Sequence, residues 1–156
     1  MIGLLHHLER PIGFLNQAAR VLCTGGVLAM IEPGMSPVAY PFYRYLHQEA
    51  VDMISDPFTS MPAYPRRDPF DANQAIPTLL FSADNRQRLR KLVPRIDRPS
   101  RRLTELVRPS AERRFQTLLS GPARLAAGLV GFEDMLPMAV RRFCGFRLFA
   151  TLEKTE

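Results

Sequence analysis

Between residues 4 and 33 the chain runs through an order of patterns that few folds accommodate. Leu4-Leu5-His6-His7-Leu8 leads into residues 12–22, where Phe14, Leu15, Ala18, Val21 and Leu22 recur at the i, i+3, i+4, i+7 spacing of a helix with one buried face. Pro11 suits the first turn of that helix, where its missing N–H costs nothing. Gly25 or Gly26 suits the position past its end, where positive φ is wanted. The run Val27-Leu28-Ala29-Met30-Ile31 is apolar without alternation, as expected of a parallel strand covered on both faces, and it closes on Glu32-Pro33. Strand end, loop, helix, glycine turn and strand make a right-handed βαβ unit. The chain opens in mid-strand, so the expected sheet is incomplete and exposes a central edge and apolar faces that pair with another chain or self-associate.

In open parallel sheets ligands bind beyond the carboxyl ends of the strands. Here one strand end carries His6 and His7 and the other carries Glu32 and Pro33. A histidine pair beside a carboxylate suits general acid–base work, because imidazole titrates near neutrality. Residues 42–54 place Phe42, Tyr45, Leu46, Glu49, Ala50, Met53 and Ile54 at helical spacing, predicting a helix that folds over this edge as a lid and sets Tyr43, His47 or Glu49 above it. Pro57, Pro62, Pro65 and Pro69 predict loop in the rest of a lid-like insertion, residues 34–70.

Further along, Asp71 is the predicted N-cap of a short helix bent or ended by Pro77. Residues 84–92 read as a charged surface helix, 103–107 as a strand and 122–143 as helical. At the tail Phe146, Leu148, Ala150 and Leu152 alternate with Arg147, Phe149, Thr151 and Glu153, an amphipathic strand of the kind found at sheet edges. The 156 residues predict a single domain.

Composition narrows the function classes. Cys23 and Cys144 give neither a disulfide framework nor a metal spacing, which points to a reducing, cytoplasmic setting. No apolar run approaches the ~18 residues of a membrane span. The net charge is +6, and between Arg86 and Arg114 eleven basic residues stand against three acidic ones. Such a block is ordinarily a solvated face; the alternative is a non-catalytic binding module or partner subunit that meets nucleic acid or anionic lipid through residues 86–114. No metal site is expected from His6, His7 and His47, an adjacent pair and a distant third.

Leu5-His6-His7-Leu8, the helix ending Ala19-Arg20-Val21-Leu22, the Gly25-Gly26 turn and the strand closing on Glu32-Pro33 resemble, in this order, the second half of a class I S-adenosylmethionine-dependent methyltransferase. Ser120-Gly121 and a last strand placed like that family's final antiparallel strand extend the likeness. The resemblance implies an α/β, partial Rossmann-like methyltransferase fold: the C-terminal half of the sheet with a helical insertion and a C-terminal antiparallel strand. It implies a truncated transferase using S-adenosyl-L-methionine (SAM) on an apolar small molecule, with little or no activity alone. His6 and His7 take the catalytic positions, Leu5, His6 and Leu8 the cofactor-binding ones, and Glu32, Tyr43 and His47 the substrate contacts. The family's glycine-rich loop and its acidic ribose partner have no counterpart here, since the nine glycines form no G-x-G-x-x-G set.

Overall fold

A computed structural model describes residues 1–59, 72–104 and 137–155. It is a mixed α/β structure. Residues 1–3 lie parallel to a strand, β1 (Val27–Pro33), through an Ile2–Ile31 bridge. The N–H of Gly3 donates to Ile31 O at 2.8 Å, and that of Ile31 to Met1 O at 3.0 Å. Between these parallel segments come a 3₁₀ turn, Leu5–His7, and helix α1, Pro11–Val21. Helix and strand thus fall where the sequence places them, with Pro11 opening α1, but the buried stripe runs through Pro11, Leu15 and Ala19, and Val21, expected on it, is 72% exposed. Gly25 has φ +75°, and its N–H donates to Lys154 O at 2.8 Å, fixing the turn into β1.

Among the described residues, four short helices and two strands follow: α2 (Ala39–Tyr45), α3 (Ile76–Leu80), α4 (Arg86–Leu92), β2 (Ile96–Thr104), α5 (Met138–Cys144) and β3 (Arg147–Lys154). The strand order is β1-β3-β2, with β3 antiparallel to both neighbours. Its alternation is real, since Leu148, Ala150 and Leu152 are at most 1% exposed while Phe149 is 36% exposed. The expectation of an edge strand is corrected, because β3 is paired on both sides. β2 starts earlier than expected, and its register with β3 shifts between Asp97 and Ser100, around Pro99, a residue with no N–H to give the ladder.

One face of the sheet packs on α1, α3 and α4, joining Leu5, Leu15, Ala19, Met30, Leu80, Leu89, Val93 and the inward side chains of β3 in one core. The other face of β1 is open, with Val27 53% exposed and Ala29 exposed, so the expectation of a strand covered on both faces is corrected.

The predicted helix over 42–54 is corrected as well. It covers Ala39–Tyr45 and stops, and at its end Tyr45 and Leu46 are 77% and 75% exposed. The chain turns instead, so that Ala50 bridges Asn73. Pro77 belongs to the first turn of α3 rather than ending it. Asp71, the lid residues 60–70, Ser120-Gly121 and residues 105–136, which hold most of the expected C-terminal helix and part of the basic segment, lie outside the described residues.

Candidate functional site

The 3₁₀ turn that follows the first parallel segment projects His6 and His7 beside the carboxyl end of β1. Their rings lie against each other, centroids 4.1 Å apart. Glu32, fully buried at the end of β1, holds the turn from beneath. Its Oε1 accepts the Leu4 and Leu5 N–H groups at 3.0 and 2.9 Å, and its Oε2 accepts His6 Nδ1–H at 2.8 Å. That bond makes Nδ1 the donor to Glu32 and turns Nε2 toward Glu49.

Nε2 of His6 faces Glu49 Oε2 at 3.4 Å, and Nε2 of His7 faces Glu49 Oε1 at 3.7 Å. The His6 and Glu49 side chains are 5% and 9% exposed, whereas that of His7 is 30% exposed and forms the open side of the cluster. Gln74 Nε2 donates to Glu49 Oε2. Gln74 Oε1 is buried with no hydrogen-bond partner among the described residues.

The segment just before α3 locks the two loops together. The Asn73 N–H donates to His6 O at 3.3 Å, and the Gln74 N–H to Ala50 O at 3.0 Å. The Asn73 side chain accepts from the Asp52 and Ala75 N–H groups at 2.9 and 3.0 Å and donates to Asp52 O and Ser55 Oγ at 2.9 and 2.7 Å.

Burial opposes charge on His6, but the hydrogen bonds and negative charges of Glu32 and Glu49 outweigh it and raise its pKa. Burial likewise works against Glu32, where His6 and the two backbone N–H groups win and hold the carboxyl below its usual range. Glu49 is lowered too, burial being outweighed by its hydrogen bond to His6 and the charges of His6, His7 and His47. Glu32 and Glu49 thus flank the buried His6 ring at its two nitrogens, with His7 on the open side.

His6, His7 and Glu32, read from the sequence as one constellation, are brought together, and Glu49 joins them. The others stand apart. The Leu5 side chain is buried in the core, with its N–H on Glu32, and Leu8 packs against that core. Tyr43 is buried and donates its hydroxyl to Phe146 O at 3.1 Å. His47 stacks edge-on against Tyr43 and accepts the Glu49 N–H at 3.2 Å through Nδ1, which ties it to the backbone that carries Glu49.

Sequence reasoning missed Asn73 and Gln74; two adjacent amides just ahead of a short helix were the available signal. In the described part of the basic segment, Arg88 binds Asp56 in two-pronged fashion at 3.0 and 2.8 Å and lies over the Phe58 ring. No helix among the described residues is long and apolar enough to cross a membrane. No protein-family model and no curated protein matches this chain.

Proposed function

We propose that this chain is the C-terminal part of a class I SAM-dependent methyltransferase acting on a small molecule, with a Glu32–His6 pair as its proton acceptor. The observation that carries the reading is the position of that pair, at the carboxyl ends of two adjacent parallel segments joined through α1. The antiparallel course of β3 supports it as well, being what the resemblance leads one to expect.

The donor set fits the reacting end of the cofactor. Glu49 sets a carboxylate beside the half-open His7 edge, where a cationic sulfonium is favoured. S-adenosylmethionine supplies an already activated methyl group, so the protein's main contribution is alignment. Glu32 orients His6 through Nδ1–H, and Nε2 takes the proton of an oxygen or nitrogen acceptor as its nucleophilicity develops. Against the effect of burial, Glu32 and Glu49 raise the imidazole pKa, which favours the protonated ring that this transfer produces. His7 walls the site on the solvent side, and Gln74 and Asn73 hold the loop that carries Glu49.

Calorimetric titration of the folded chain with S-adenosylhomocysteine tests the reading. Saturable binding, weakened by Glu49→Gln, is the expected result. A folded chain giving no saturable heat at millimolar ligand overturns it.

A further inference from the structure

We propose that His6, His7 and Glu49 form a binding site for one first-row transition dication of the zinc class, with Glu32 as the outer carboxylate that positions His6. The proposal stands on the cluster itself and needs no methyl-transfer chemistry.

The ligand atoms of the three residues all lie within 4.8 Å of one another. Zinc bonds to imidazole nitrogen and carboxylate oxygen of about 2.0–2.1 Å, arranged tetrahedrally, separate neighbouring ligand atoms by about 3.3 Å. The two nitrogen–oxygen separations here are 3.4 and 3.7 Å. They run to different Glu49 oxygens; the first matches that edge, the second exceeds it, and the whole set lies within 4.8 Å, so a single ion would draw the His7 ring inward.

The surroundings fit equally well. A metal-binding imidazole ordinarily gives its second nitrogen to a carboxylate, which fixes the tautomer and aims the other lone pair. Glu32 does this for His6, and Glu32 is itself fixed by two backbone N–H groups. Charge points the same way. With neutral imidazoles the two buried carboxylates carry −2, which a dication balances, and a buried uncompensated charge is costly. Two imidazoles and one carboxylate suit zinc, cobalt or iron(II) and not the oxygen-seeking magnesium or calcium. Three protein ligands with one half-exposed side leave a coordination position open toward solvent, the arrangement of a reactive rather than a purely structural centre.

The test is a titration of the chelator-treated, folded 156-residue chain with Co²⁺, read by visible absorption, and with Zn²⁺, read by calorimetry. One ion per chain is expected, with the intense visible bands of four-coordinate cobalt. Glu32→Gln should weaken affinity by about 10–100-fold. His7→Gln and Glu49→Gln, each confirmed as folded by circular dichroism, should weaken it further still. Cys23→Ser, at an exposed thiol outside the cluster, should leave it unchanged. A folded wild-type chain that binds neither ion overturns the proposal. So does binding that survives both His7→Gln and Glu49→Gln, or that depends on Cys23. Because both readouts use the metal alone, failure to bind S-adenosylhomocysteine does not bear on this result.

Discussion

Glu32 takes part in three hydrogen bonds from full burial, and each links β1 to the turn that carries the histidines. Removing it strands two backbone donors and a buried imidazole at once. Glu32→Ala is therefore expected to cost about 3–5 kcal/mol in urea unfolding, the range for breaking a buried charge pair. Glu32→Gln keeps a carbonyl acceptor and should cost about 1–3 kcal/mol. Equal losses would mean that the charge matters less than the hydrogen bonds.

The same residues set a pH profile for the metal-free chain. His6 is raised, so its contribution is complete below about 6.5, the unfolded imidazole value, and is lost as pH climbs through the higher folded value. Glu32 and Glu49 are lowered, so theirs is complete above about 4.3 and is lost as pH falls through the lower folded values. The urea midpoint should be highest between about pH 4.3 and 6.5, and a midpoint that instead rises steadily to pH 8 would contradict this coupling.

At the scale of elements, α1, β1 and β3 were legible because each carries a pattern that only one structure satisfies. α1 has the 3.6-residue stripe between Pro11 and Gly25, and β3 alternates from Leu148 to Leu152. The pairing of β3 was not legible, because alternation reports which face is buried and says nothing of how many neighbours a strand has. Residues 42–54 misled for a different reason. Their spacing is helical, yet the hydrogen bonds joining Ala50 and Asp52 to Asn73 and Gln74, from a segment far along the chain, outweigh local propensity. His6, His7 and Glu32 were readable as a constellation because they sit at strand ends. That Glu49 would complete it through a turn, rather than from a helix, depended on those long-range contacts.

Asn73 is therefore expected to govern the site as an element rather than as a ligand. Asn73→Ala should cost about 2–3 kcal/mol, since several partly buried groups lose partners. It should also raise amide exchange at Asp52 and Ala75, whose N–H groups its side chain accepts. Unchanged exchange at those two amides would show that the loop holds itself.

Across the whole molecule, the sheet has an unequal pair of faces. One is closed by α1, α3 and α4. On the other, Val27, Ala29 and Ile31 of β1 stand in register with Glu153, Thr151 and Phe149 of β3, and Val27 and Phe149 are 53% and 36% exposed. Ile2, on the segment flanking β1, is 69% exposed. Apolar side chains gathered on one sheet face beside an edge segment favour association with another chain, because burying them removes apolar area from water and pairs free backbone groups. The isolated chain should thus self-associate as its concentration rises in sedimentation velocity, and Val27→Lys should suppress this. The lysine stem replaces an exposed valine, so stability should shift by no more than about 0.5 kcal/mol while the added charge opposes stacking of two such faces. A wild-type chain that stays a monodisperse monomer at high concentration would rule the association out. The site lies at the carboxyl end of β1 and its His6, His7, Glu32 and Glu49 come from one chain, so Co²⁺ affinity should be the same in the Val27→Lys monomer as in the associated wild type.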